Sequence, residues 1–127
     1  MTHALRRILV VTVTLLLVGI GSVPTKAVAR VSAFDGIWSV LIQPLRGDCG
    51  AAYRYSLRIS SGRVFSPDPS YQANGVVASN GTIRVVVSQG DQSASGFGRL
   101  RRGTGRGQWR TAKGECSGQW AAERRSM

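Results

Sequence analysis

Short alternating segments punctuated by glycine constrain this chain more than any other feature. Tyr53, Tyr55, Leu57 and Ile59 fall on one side of an extended chain, with Arg54, Ser56 and Arg58 on the other. That period of two marks a half-buried strand. Ile83, Val85 and Val87 repeat it against Arg84 and Ser88. Between such segments stand Ser61-Gly62, Asn80-Gly81 and Arg102-Gly103, each a hairpin turn signal. Asn80-Gly81 is the strongest, because a type I′ turn takes positive φ at both central residues. As a two-residue turn it sets Ala78 opposite Ile83 and Val76 opposite Val85.

The pattern predicts eight strands, at 36–43, 51–60, 63–66, 72–79, 82–88, 94–101, 104–111 and 115–123. Pro67 and Pro69 mark a loop after the third, since proline cannot donate to a ladder. With Arg102-Gly103 as the turn, Leu100 faces Gly105, Gly98 faces Gly107, and Gly96 faces Trp109. One face of that hairpin is nearly bare, leaving room for large side chains, with Trp38 and Trp120 as the natural fillers. The expected fold is therefore all-β: an antiparallel meander whose first and last strands pair to close a small barrel. A β-sandwich with the same strand order is the alternative.

The first 29 residues read as a signal peptide. Arg6 and Arg7 precede an uncharged, very apolar run from Ile8 to Ile20, and Ala27-Val28-Ala29 suits signal peptidase cleavage before Arg30. The run is shorter than the roughly 20 residues a membrane-spanning helix needs, so no transmembrane anchor is expected after cleavage. Residues 30–127 then form a single exported β-domain of 98 residues, periplasmic or extracellular. The only histidine, His3, leaves with the leader, as do Arg6, Arg7 and Lys26. Fourteen of the 17 basic residues then face six acids, a net charge of +8. Cys49 and Cys116 are the only cysteines, and in an oxidising compartment they are expected to pair. The closed loop would be worth about 4 kcal/mol in the chain-entropy model.

The segments Phe34-Asp35-Gly36-Ile37-Trp38-Ser39-Val40, Gly96-Phe97-Gly98-Arg99-Leu100, Gly107-Gln108-Trp109 and Cys116-Ser117-Gly118-Gln119-Trp120-Ala121-Ala122-Glu123-Arg124-Arg125 together resemble a group of short exported alphaproteobacterial proteins. Some of these carry labels such as exoprotein of heme utilisation or adhesion. For heme, the mature chain has no histidine to offer and leaves only Met127 and Tyr53, Tyr55 or Tyr71 as axial ligands, so no cofactor is assigned. Gly36-Ile37-Trp38 also resembles the Gly-x-Trp opening of lipocalin-type barrels. That resemblance implies a tryptophan plugging the barrel floor, covered by an arginine near the last strand, the part Arg124 would take. The mature chain is shorter than such barrels usually are, and its strands are expected to be too short for a deep ligand cavity.

Catalytic chemistry finds little to work with, and an enzyme is not expected. Without histidine there is no Ser-His-Asp or Cys-His set, and bonded cysteines leave no zinc cluster. Asp35, Asp48, Asp68, Asp91, Glu115 and Glu123 sit mostly at predicted turns and strand ends, where carboxylates are ordinarily solvated. Gly103-Thr104-Gly105-Arg106-Gly107 alternates along a strand, not ahead of the helix a phosphate loop requires.

The positive feature is arginine. Arg99 lies opposite Arg106 on the outward face, with Arg101 and Arg110 nearby, an expected anion-binding group. The leading functional reading is a non-enzymatic exported domain that binds an anionic surface, an anionic polymer or another envelope component. Nucleic acid is set aside because export removes the domain from it. A protein-binding inhibitor or adhesin-like module is the alternative, docking a protein partner through the 65–71 loop with Phe65 and Tyr71. A barrel holding a small ligand is the third.

Overall fold

The computed structural model describes residues 18–22 and 32–127; the expected leader and its cleavage point fall largely on residues 1–17 and 23–31, outside the described residues. The described chain is all-β, with no helix. Its eight strands are β1 (Gly36–Arg46), β2 (Tyr53–Ser60), β3 (Arg63–Phe65), β4 (Gln72–Val77), β5 (Thr82–Gln89), β6 (Gln92–Leu100), β7 (Thr104–Thr111) and β8 (Ser117–Ser126). Each pairs antiparallel with the next, and β1 pairs with β8, so the meander closes into a barrel with no sandwich split. Closure removes the free edges of an open sheet, except beside the short β3, which pairs only with Arg58–Ser60 and leaves Tyr53–Leu57 of β2 without a ladder partner on that side.

Alternation then sorts the side chains. Trp38, Val40 and Ile42 of β1, Leu57 and Ile59 of β2, Ile83 and Val85 of β5, and Trp120 and Ala122 of β8 point inward and are buried. The arginines between them point outward. The third hairpin has the register its turn implies, with Leu100 opposite Gly105, Gly98 opposite Gly107, and Gly96 opposite Trp109. Its bare inner face receives the Trp120 ring: a Cβ on Gly98 would stand 2.6 Å from Trp120 Cζ2, and one on Gly107 2.7 Å from Cε2. Trp120 alone takes this place, while Trp38 sits at the barrel floor.

The second hairpin departs from expectation. Only Gly81 has positive φ there (91°); Asn80 does not. Gly81 N donates to Ala78 O, Ala78 N donates to Thr82 O, and the loop is one residue longer than a type I′ turn. The extra residue slips the register: Val77 faces Ile83, Gly75 faces Val85, and Val76 lies opposite Arg84 on the outer surface. A glycine in the third loop position is the three-residue hairpin with a G1 bulge. The type I′ geometry occurs at Ser61-Gly62 instead, where both residues have positive φ (51° and 74°).

Candidate ligand cavity

The two barrel ends differ. At one, the indole of Trp38 is 1% exposed and its Nε1 donates to Phe34 O at 2.9 Å. The Arg124 guanidinium lies over that ring, 5.1 Å from its centroid. Arg124 reaches this place because β8 runs antiparallel to β1 and sets it against Trp38 in register. Its Nη2 donates to Ala33 O at 2.9 Å and Arg102 O at 3.0 Å, and Nη1 to Asp35 O at 3.3 Å. One planar fork therefore ties the segment before β1 and the β6–β7 turn to β8, and closes the floor.

Asp35 reinforces the same end. Its Oδ2 accepts from Ser61 N at 3.0 Å and Ser32 N at 3.2 Å. Burial pushes this carboxyl upward, but the surrounding N–H groups and the Ser32 hydroxyl more than offset it and hold it below the ordinary carboxylate value. Gly36 follows directly with φ of 138°, and a Cβ there would collide with the backbone carbonyl of Ser126. Gly-x-Trp thus lets β8 pass close against the first residue of β1.

Above the floor the barrel is hollow. A cavity of about 450 Å³ reaches from Trp38 and Trp120 to the opposite rim. Val40, Leu57, Ile83, Val85 and Trp109 line its lower part, and Tyr53, Tyr55, Tyr71, Gln89, Gln92 and Thr111 its upper part. No charged side chain lines it. The expected lack of a deep cavity is corrected here: eight strands enclose space for one small ligand, and Gly96 and Ala94 on its wall spend little of it on side chains.

The tyrosines form a cluster at the mouth. Tyr55 packs edge-on to Tyr71 at 5.8 Å between ring centroids and lies 6.2 Å from Tyr53. Tyr71 is held by its hydroxyl, which donates to Ser56 O. Burial, with smaller contributions from Tyr53 and Tyr71, raises the Tyr55 hydroxyl well above its usual value, so it stays a neutral hydrogen-bonding group. The rim is stapled by the Cys49–Cys116 disulfide, with a Cα separation of 6.2 Å, which ties the β1–β2 loop to the start of β8. Thr111 Oγ1 braces that corner, accepting from Cys116 N and donating to Cys116 O.

The sequence-predicted site residues distribute over this frame unevenly. Cys49 and Cys116 are bonded to each other. Arg99 and Arg106 face each other on the outer surface. Arg101 stands past the end of β6, where it borders a surface depression at the closed end with Arg102 and Arg124. Arg110 lies opposite Ser95 and Ser117, four residues and about 13 Å along β7 from Arg106. The four share a face but not a single point. Phe65 and Tyr71 separate further: Phe65 ends β3 and points out, 45% exposed, while Tyr71 points into the cavity mouth. Tyr55, Trp109, Gln89 and Gln92 were missed as site residues. The alternation through Tyr53-Tyr55-Leu57-Ile59 already put Tyr55 inside the barrel; the rim glutamines carry no such signal.

No family model, curated protein or solved structure matches this chain.

Proposed function

We propose that this protein is an exported, non-enzymatic binding barrel that takes a small, uncharged, largely apolar molecule through its disulfide-stapled end. The observation carrying the reading is the cavity of about 450 Å³ whose wall holds no charged residue. That volume falls among ligand pockets of roughly 300 to 1,000 Å³. A charge placed there would lose its hydration and gain no ion partner, which excludes charged ligands energetically. The neutral Tyr55 hydroxyl and the amides of Gln89 and Gln92 suit one uncharged polar group at the outer end of an otherwise apolar ligand. An oxidising compartment outside the cytoplasm suits both the leader and the disulfide.

All three tryptophans of the chain line the cavity, so the protein carries its own reporter. Titration with the neutral dye N-phenyl-1-naphthylamine should give energy transfer from tryptophan and a saturable rise in dye emission. Ala94→Phe, which fills the upper cavity, should remove both. Equal dye binding by the variant and the parent, or none by the parent, would sink the proposal.

A further inference from the structure

The outer wall of the barrel is as distinctive as its interior. Strands β2 to β7 contain no aspartate or glutamate, yet present Arg54, Arg58, Arg63, Arg84, Arg99, Arg106 and Arg110 outward. Among the described residues the one ion pair joins Arg125 and Glu123, both on β8. Into this cationic wall are set exposed apolar side chains: Phe65 (45%), Val76 (56%), Val86 (47%) and Phe97 (49%). The register shows that they form a patch.

One row across the strands reads Arg58, Phe65, Asn74, Val86, Ser95 and Arg110. The next row toward the closed end reads Ser60, Arg63, Val76, Arg84 and Phe97. Phe65 is thus a diagonal neighbour of Val76, and Val86 of Phe97, at roughly 7 to 8 Å. Arginines bound the first row at both ends and alternate with apolar residues in the second. The bulge at Gly81 creates this arrangement, because the slipped register turns Val76 outward between Arg63 and Arg84.

We infer that the β3–β6 face docks this protein onto an anionic lipid surface. Charge complementarity selects this occupant over a neutral one: arginines attract and fork onto headgroup phosphates, each worth about 1 kcal/mol near an anionic membrane. The apolar residues select a lipid layer over a soluble polyanion, since phenylalanine and valine gain by entering the headgroup–acyl boundary. The face curves with the barrel, so Val76, Arg84 and Val86 on the central strands β4 and β5 would meet the surface first, with Arg63, Phe65 and Phe97 flanking them. The inference goes beyond the cavity reading and does not depend on it.

Sedimentation of the exported protein with vesicles tests it. Vesicles of equal parts phosphatidylglycerol and phosphatidylcholine should bind, and phosphatidylcholine alone should not. Arg63→Gln and Arg84→Gln should each weaken binding about fivefold. Phe65→Ser with Phe97→Ser should remove the fraction that survives physiological salt. Arg46→Gln with Arg125→Gln, on β1 and β8 across the barrel, should change little. The inference is overturned by equal binding to both vesicle types, by equal loss per charge in the control pair, or by serine variants that bind like the parent. It is overturned too if heparin or inorganic phosphate is held while vesicles are not. The tryptophans face the interior, so dye binding and vesicle docking are read separately, and either can fail alone.

Discussion

Replacing Arg124 with methionine keeps a long apolar stem and removes the fork that closes the barrel floor. The guanidinium stands 5.1 Å over Trp38, a partly desolvated cation–π contact of about 1 kcal/mol. Two hydrogen bonds to Ala33 O and Arg102 O, at 2.9 and 3.0 Å, contribute about 1 kcal/mol each after discounting for solvent access. The longer bond to Asp35 O at 3.3 Å adds a few tenths. Arg124→Met should therefore cost about 3 kcal/mol, a fall in Tm of roughly 12 to 24 °C for a domain of this size. Urea unfolding followed by tryptophan emission, with the m-value unchanged, measures it directly. Arg124→Lys keeps the charge but reaches fewer of the three carbonyls, so it should recover no more than about 1 kcal/mol. A loss below about 1 kcal/mol for methionine would show that neither the charge nor the fork holds the floor, and full recovery by lysine would show that charge alone matters; either result refutes the argument from the planar fork.

Two further outcomes follow from the same frame. Gly107→Ala puts a Cβ 2.7 Å from Trp120 Cε2 and against the Phe97 carbonyl, an overpacking cost of about 1 to 3 kcal/mol, whereas Gly103→Ala meets nothing within 4 Å and should be silent; equal chemical denaturation midpoints for the two would contradict the packing described. Asp35 has its folded pKa below its ordinary value, so its stabilisation is present above about pH 4 and is lost as pH falls through the lowered value. Thermal melts from about pH 6 to pH 2 should show a steeper acid decline for the parent than for Asp35→Asn, and parallel curves would show that the carboxylate contributes nothing to the linkage.

Much of the architecture was legible because it rests on local rules. Alternation placed all eight strands within a few residues, and the Arg102-Gly103 turn fixed the β6–β7 register, including Arg99 opposite Arg106. Gly-x-Trp and Arg124, 86 residues apart, suggested the plugged floor through resemblance alone, and both stand there. The Asn80-Gly81 register was misread because Asn-Gly serves both a two-residue turn and the last two positions of a three-residue one. The difference is one residue, and with period-two side chains one residue exchanges the faces of β4.

What the chain itself determined is the strand pattern, the turn positions, the glycine-bare strip that seats Trp120 and the arginine-rich outer alternation. Each depends on residues close in sequence or on simple parity. The cavity and the tyrosine-lined mouth were decided only by the closed barrel, and the Arg63–Val76–Arg84–Phe97 row only by the paired sheet. Hollow space depends on how many strands share a core and how far the side chains of Trp38, Trp109 and Trp120 fill it. A mixed surface row depends on the registers of four strands at once. Neither quantity belongs to any one segment: the row needs β3 to β6 paired in register, and the hollow needs β1 to meet β8.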